Sequence, residues 1–193
     1  MDYNKITNKN AIKILEDLEG KRLYFSQIHE LTKIKSKNNL VKNLDLLAEF
    51  NILKKEKGKG NTFYSINYDN FVAITSLQLI NSIKFYSLPF ERRKAVEELT
   101  GSLKPVIAVL FGSTAKGGFK KESDVDLLIV FKDKKEKYYE TVKKVSSKYG
   151  IRLNPVIISL DEFFSPNDAL KHIIKTGYPI AGYNYFYEQY KKI

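Results

Sequence analysis

Cysteine and tryptophan are both absent from the 193 residues of this chain. Without cysteine there is no disulfide framework, no thiolate metal site and no cysteine nucleophile. The absence of cysteine also fits a reducing compartment, so we expect a cytoplasmic protein. The apolar stretches near 71–80 and 105–111 are interrupted by polar residues or are too short to span a bilayer. We therefore expect no membrane partner.

Arginine is scarce, because only four of the 33 basic residues are arginine. The rest are lysine, and against 22 acidic residues they leave a net charge of +11. Such an excess favours polyanions such as nucleic acid or nucleotides. Lysine-rich surfaces also occur in proteins that bind no nucleic acid, so the charge alone leaves both interpretations open.

Residues 1–68 have the pattern of three short helices followed by a hairpin. Apolar residues recur at helical spacing over 10–18, Ser26 is placed to cap a helix over 27–34, and Ser36 is placed to cap a third helix. That third helix carries Leu40, Leu44 and Leu47 on one face. Two strand-like segments, 52–56 and 61–67, then surround a turn rich in lysine and glycine. This order resembles the winged helix-turn-helix domains of prokaryotic DNA-binding regulators.

The resemblance implies that the third helix enters the major groove of DNA and that the hairpin contacts the backbone. Asparagine can read adenine edges, and lysine can meet phosphates or guanine. The DNA-binding residues that we predict are Lys37, Asn38, Asn39, Lys42 and Asn43 of the third helix and Lys55, Lys57 and Lys59 of the hairpin. Winged helices also serve as dimerisation or protein-docking modules, and that alternative remains open.

Residues 69–102 are predicted to connect two domains through two helices, 69–88 and 90–103. The first has apolar residues on more than one face, which predicts burial on two sides, either between the domains or in a homodimer. Pro89 fits the start of the second helix. We expect this connection to be semi-rigid.

Residues 105–131 carry the chemically informative motif. An apolar strand, 105–111, runs into Gly112 and Ser113, and after ten further residues Asp124 and Asp126 precede a second apolar strand, 127–131. Carboxylates two residues apart on a strand face the same way, and paired carboxylates suit Mg²⁺ when substrate phosphates complete its shell.

The residues around the acid pair are suited to a nucleotide. Gly112 has no Cβ and lets a triphosphate approach the backbone. Ser113 stands where a helix would begin and can hold phosphate oxygens. Lys116, together with Lys120 and Lys121, could neutralise further phosphate charge. We therefore predict a nucleoside triphosphate, ATP above all, as substrate or ligand.

The motif resembles the signature of the nucleotidyltransferase superfamily that includes DNA polymerase beta, and in particular its minimal prokaryotic members, some of which are antitoxins. This implies an α+β chain in which residues 103–193 form a mixed sheet flanked by helices, with a helical and aromatic tail. It also implies that Asp124 and Asp126 are catalytic metal ligands and that Gly112, Ser113 and Lys116 bind the nucleotide.

One departure from the family pattern concerns a third carboxylate. Active members usually carry it on the next strand of the sheet, where it binds a metal and can take the proton of the attacking hydroxyl. Here the segment 151–159, which follows a predicted helix over 134–149, contains no Asp or Glu. Asn154 is nearest the expected place, and Asp161 and Glu162 are predicted to lie at the far end of the strand.

Two functions follow from these patterns. The first is a Mg²⁺-dependent enzyme that transfers AMP from ATP to a hydroxyl of a protein or nucleic acid and binds DNA through the winged helix; family analogy suggests a cognate toxin as the protein acceptor. The alternative is a DNA-binding transcriptional regulator whose incomplete nucleotidyltransferase-like domain only binds nucleotide. The missing acid favours the second, and the intact Gly-Ser and Asp pair favour the first.

Overall fold

The computed structural model describes residues 8–118, 123–133 and 138–193. The chain divides into two compact units, Met1–Ile80 and Asn81–Ile193. This division falls within the segment that the sequence predicts to be a connector. Within the described residues, no helix is both long enough and apolar enough to cross a membrane.

The N-terminal unit combines helices with a small antiparallel sheet. Its elements are α1 (Lys9–Leu18), β1 (Arg22–Tyr24), α2 (Phe25–Thr32), α3 (Lys37–Glu49), β2 (Leu53–Lys57) and β3 (Thr62–Ile66). The strand order is β1-β3-β2, and both pairs are antiparallel. The hairpin formed by β2 and β3 lies where the sequence predicts it, whereas β1 was not predicted.

Side-chain caps and an apolar stripe explain the first and third helices. The Asn8 side chain accepts hydrogen bonds from the Asn10 and Ala11 amides at the start of α1. The Ser36 hydroxyl accepts one from the Asn39 amide, which confirms the predicted cap of α3. Leu40, Leu44 and Leu47 are fully buried, so the predicted stripe of α3 does face the core.

The predicted start of the second helix is wrong. Ser26 lies inside α2, and Tyr24 is the N-cap residue. The Tyr24 amide donates to the Gln27 side chain, and this bond fixes the first turn two residues earlier than the serine indicated.

Two longer helices, α4 (Phe71–Tyr86) and α5 (Phe90–Leu103), follow. Pro89 is the N-cap of α5, in keeping with the predicted start of this helix. The single chain buries Leu77 and Ile80 of α4 but leaves Leu79 46% and Ile83 54% exposed. Burial of α4 on two sides, either between the domains or in a homodimer, stays a prediction.

The C-terminal unit is built on a mixed four-stranded sheet. Its elements after α5 are β4 (Ile107–Phe111), α6 (Gly112–Ala115), β5 (Val125–Phe131), α7 (Tyr139–Tyr149), β6 (Leu153–Ser159), α8 (Leu160–Phe164), α9 (Asp168–Thr176), β7 (Tyr178–Ala181) and α10 (Tyr183–Tyr190). The strand order is β6-β5-β4-β7. β5 and β6 are parallel and the other pairs antiparallel, which confirms the mixed sheet. β6 lies at one edge and carries Pro155 as its third residue.

The core of this unit lies around β4 and β5, whose apolar runs are almost wholly buried. Phe186 and Tyr187 of α10 are also buried, and the Tyr187 hydroxyl accepts a hydrogen bond of 2.9 Å from Asn81. The aromatic tail therefore contributes to packing, as predicted. The described part of the predicted helix 134–149 begins at Tyr139, and residues 134–137 lie outside the described residues.

Candidate functional site

The turn from β4 into α6 requires glycine at position 112. Gly112 has a φ of +68°, which side-chain-bearing residues rarely adopt. A Cβ at this position would also collide with the carboxylate of Asp126. The sequence analysis explained glycine at this position by the approach of a phosphate. The structure adds a second reason, because the side chain of Asp126 in β5 packs directly against the turn.

Asp124 and Asp126 each contact a polar side chain at the start of β6. The Asn154 amide donates a hydrogen bond of 2.9 Å to Asp126 Oδ1, and Arg152 Nε lies 3.5 Å from Asp124 Oδ2. Arg152 directly precedes β6, and Asn154 is the second residue of that strand. Asp126 packs against the Gly112 turn, and the Asp124 carbonyl accepts a hydrogen bond from Thr114 of α6.

Asn154 is the residue nearest the place where the family resemblance predicts a third carboxylate. It is in register with Asp126 on the adjacent strand β6. Asp161 and Glu162 follow Ser159, which pairs with Phe131 at the opposite end of β5. The prediction that these two acids lie at the far end of the strand is confirmed. Glu162 also caps α8, since its carboxylate accepts from the Ser159 amide at 2.8 Å.

Arg92 is a part of this site that the sequence analysis missed. The residue is only 2% exposed, yet it carries a full charge. Its guanidinium donates to the Thr114 hydroxyl at 3.3 Å and to the Ser123 carbonyl at 2.8 Å. The Thr114 hydroxyl in turn donates to the Asp124 carbonyl at 3.2 Å. Arg92 therefore ties the α6 turn to the segment that carries the acid pair.

A signal for Arg92 was present in the sequence. It stands at helical spacing from Ala95, Val96 and Leu99, which form the buried stripe of α5. An arginine in an apolar stripe needs partners, because buried charges are paired or hydrogen-bonded. The pattern could therefore have indicated a buried guanidinium, although not its partners, which come from distant parts of the chain.

The predicted phosphate-binding residues belong to the α6 turn or lie outside the described residues. Ser113 is the second residue of α6, and Lys116 follows that helix with an exposed side chain. Lys120 and Lys121 lie outside the described residues. Among the residues that the structure describes, no group of three or more His, Cys, Asp or Glu side chains is arranged to hold a metal ion.

The predicted DNA-binding residues of α3 divide into two groups. Lys37, Asn38, Asn39 and Lys42 are exposed. The prediction for Asn43 is wrong, because its side chain is only 9% exposed. The Asn43 side chain donates to the Asn39 carbonyl at 2.7 Å and accepts from the side-chain amide of Asn8 at 2.9 Å. Asn43 thus joins α3 to the start of α1 and does not face outward.

The lysines of the β2–β3 hairpin are exposed, but Lys55 already has a partner. Its ammonium lies 2.9 Å from Asp45 of α3 and 5.8 Å from the ring centroid of Tyr64. The hydrogen bond to Asp45 is the main cause that raises the pKa of Lys55. Lys57 and Lys59 extend beyond this pair towards the tip of the hairpin.

A mixed sheet with a Gly-Ser turn facing two carboxylates defines the class of nucleotidyltransferase domains. The family model for the nucleotidyltransferase domain matches residues 91–176. A protein of Methanocaldococcus jannaschii, MJ0604, named as a candidate protein adenylyltransferase, is 33% identical over 76 residues, which are 36% of this chain and 76% of that protein. The chain belongs to the nucleotidyltransferase domain family.

Two further similarities are more limited. MJ0141 of the same organism, also named as a candidate protein adenylyltransferase, is 41% identical over 54 residues, or 25% of this chain. The match spans only about half of that relative, 54% of its length. A crystal structure of a toxin-antitoxin with AMP-PNP aligns with a TM-score of 0.40 and 18% identity, over 54% of this chain and 86% of that chain.

Proposed function

We propose that this protein transfers AMP from ATP to a hydroxyl group of another protein. Membership of the nucleotidyltransferase domain family and the names of the two archaeal relatives support this choice. The observation that carries it is the packing of Asp126 against the Gly112 turn, together with the hydrogen bond from Thr114 of α6 to the Asp124 carbonyl.

The donor set of the site fits Mg²⁺. Two carboxylates provide hard oxygen ligands, and substrate phosphates complete the shell of a magnesium ion that has few protein ligands. Asp124 and Asp126 would hold the ion. When bound, it neutralises phosphate charge and polarises the phosphorus under attack.

The chain's own residues orient the nucleotide and its charge. The Ser113 hydroxyl and the backbone of the α6 turn accommodate phosphate oxygens, while Lys116 at the end of α6 and Arg152 beside Asp124 supply positive charge. The acceptor oxygen forms a bond to the α-phosphorus, and the bond from that phosphorus to the β-phosphate oxygen breaks. Pyrophosphate leaves, and solvent takes the hydroxyl proton because the neutral Asn154 amide is a poor base.

The test of this proposal is transfer of label from ATP to proteins of a cell extract. With Mg²⁺ present, we expect label from [α-³²P]ATP, but not from [γ-³²P]ATP, to become attached to protein. The Asp124→Asn and Asp126→Asn variants should each lose at least about 100-fold of this activity, the size of a metal contribution of several kcal/mol.

Asp161→Asn is the matched control, since this exposed acid lies at the other end of the strands. It should label as the wild type does. Absence of α-label with the wild type, or labelling that survives in both acid-pair variants, would refute the proposed activity.

We further propose that the N-terminal unit is a winged helix that binds DNA. Its order of three helices and a β2–β3 hairpin supports this assignment, as do the exposed side chains of Lys37, Asn38, Asn39 and Lys42 on α3. The test is fluorescence anisotropy with labelled duplexes from upstream of the gene. Affinity should fall steeply with salt if lysines contact phosphates. No binding at low salt would refute the DNA role.

A second candidate function is a DNA-binding regulator that senses ATP without transferring AMP. The neutral Asn154 beside Asp126 is the observation that favours it. In this case ATP and Mg²⁺ should change the DNA affinity while no α-label reaches any protein. Transfer of label at a rate that depends on the acid pair would exclude this alternative.

A further inference from the structure

A groove of about 240 Å³ lies between the edge strand β6 and the helices α8 and α9. We call it the β6–α9 groove. Its apolar lining consists of Val156 and Ile158 of β6 and Ala169, Leu170 and Ile173 of α9. Val156 is 38% exposed and Ala169 is exposed as well, so an approaching molecule can reach the apolar lining.

This groove continues along the strand from the acid pair. Alternate residues of a strand share a face, so Asn154, Val156 and Ile158 lie together, whereas Leu153 and Ile157 pack into the core on the other face. Asn154 is the residue that contacts the acid pair. Because a strand advances by about 3.3 Å per residue, Val156 lies about 7 Å along β6 from Asn154. The groove therefore begins next to the proposed site of the chemistry.

The two carboxylate oxygens of Asp126 separate the nucleotide side of the site from the groove side. Oδ2 is the atom that a Cβ at Gly112 would meet, whereas Oδ1 accepts the hydrogen bond from Asn154. In the sheet register, Phe111 pairs with Asp126, and Asp126 pairs with Asn154. The turn proposed to hold the phosphates thus follows β4, and the groove lies along β6, on the opposite side of β5.

Size and charge make the groove unsuitable for a nucleotide. Its volume is below the roughly 300–1,000 Å³ of pockets that hold small molecules. The charged side chain in its lining is Glu162, an acid, and no lysine or arginine lines the groove within the described residues. Phosphate groups of a nucleotide or a nucleic acid would be repelled by that carboxylate. The groove is suited to an uncharged apolar side chain.

We infer that the β6–α9 groove binds an apolar side chain of the acceptor protein, close to the hydroxyl that receives AMP. The inference rests on the proposed AMP transfer and adds a feature of its substrate. With the phosphates held at the Gly112 turn, the hydroxyl approaches the acid pair from the β6 side, past Asn154. A large aliphatic or aromatic side chain about 7 Å further along β6 then packs against Val156 and α9, and burial of its apolar surface stabilises the complex.

The test is the transfer of α-label by the full chain into a dilution series of desalted cell extract, with ATP varied in a second series. Ala169→Trp fills the groove from an exposed position on α9. We expect the extract concentration that gives half-maximal rate to rise at least about 10-fold, the loss of somewhat more than one buried methylene group of contact. The ATP concentration for half-maximal rate should not change. His172→Trp is the bulk-matched control, since His172 is exposed on the same helix outside the groove lining. It should match the wild type in both series.

Val156→Thr tests the apolar character of the groove without changing its shape. It replaces one methyl group by a hydroxyl, so the extract concentration for half-maximal rate should rise about four-fold, the value of one buried methyl group. The thermal unfolding midpoint should stay close to that of the wild type, because Val156 is already 38% exposed.

The failures of the two proposals are distinguishable. If the wild type labels protein and both groove variants keep the wild-type dependence on extract, the groove inference is overturned and AMP transfer stands. A rise in the ATP requirement of Ala169→Trp in place of the extract requirement would show that the groove holds the nucleoside, and label in nuclease-sensitive material would show that the acceptor is nucleic acid; either result overturns the inference. If the wild type transfers no α-label, both proposals fail.

Discussion

Asn154 is the residue that most affects the chemistry we propose for this site. It contacts Asp126 directly, in register on the adjacent parallel strand. An amide in this position holds the carboxylate in place but neither carries negative charge nor accepts a proton readily. The site is therefore organised around two acids, and a single change of side chain would supply a third.

Asn154→Asp should raise the rate of AMP transfer by about 100-fold, the lower end of the 10²–10⁴ that a positioned general base contributes. The measurement is the initial rate of α-label transfer under saturating ATP and Mg²⁺. Asn154→Ala is the control, because it removes the hydrogen bond to Asp126 without adding an acid. A rate for Asn154→Asp no higher than that of Asn154→Ala would contradict this interpretation.

Arg92 should act as a positioning residue for the acid pair. We expect Arg92→Met to lower kcat by about 10-fold or more and to raise the Mg²⁺ concentration for half-maximal rate, because misplaced groups cost catalytic rate steeply. Arg92→Lys should recover part of both. Arg93→Met is the matched control, since Arg93 contacts the Tyr86 carbonyl at 3.2 Å, on the other side of Pro89. Loss of stability with an unchanged Mg²⁺ requirement would show a purely structural role.

Among the secondary-structure elements, those with a strong local signal were predictable from the sequence. Apolar runs predicted β4 and β5, and the Ser36 cap with a leucine stripe predicted α3. β1 and β7 were missed because they have three and four residues and are stabilised by pairing with distant strands. The sequence predicted the Gly-Ser turn and the acid pair, but not the Arg92 network, whose partners meet only in the folded chain.

The contact between α5 and α7 should depend on pH. The hydrogen bonds from Lys148 and then Tyr149 hold the pKa of Glu98 below its usual value of 4.5. A lowered carboxyl pKa contributes stability above the usual value, and this stability is lost as the pH falls through the folded-state pKa. Glu98→Gln should therefore unfold at lower denaturant concentration than the wild type at neutral pH, and this difference should shrink as the pH falls below 4.5. Equal midpoints at neutral pH would contradict the prediction.

At the scale of the whole molecule, the two candidate sites belong to different compact units. The acid pair, the Gly112 turn and Arg92 lie in Asn81–Ile193, while α3 and the β2–β3 hairpin lie in Met1–Ile80. Each site is therefore formed by side chains of one unit. This arrangement predicts that each ligand, ATP with Mg²⁺ or duplex DNA, protects the backbone amides of one unit from hydrogen exchange.

Hydrogen exchange can measure that protection across the full chain. ATP with Mg²⁺ should slow exchange at amides of 112–116 and 124–126, while duplex DNA should slow it at 33–42, because bound ligands suppress local opening. Asp126→Asn should abolish the first effect and leave the second. Protection of 33–42 by ATP that persists without DNA would contradict the assignment of the sites to separate units.

Pro155 has a consequence for the behaviour of the protein at high concentration. It is the third residue of an outermost strand, and proline has no amide hydrogen to offer to an incoming chain. Strands at this position are otherwise templates for intermolecular pairing and aggregation. Pro155 therefore interrupts the row of backbone N–H donors that pairing with a strand of another molecule would need.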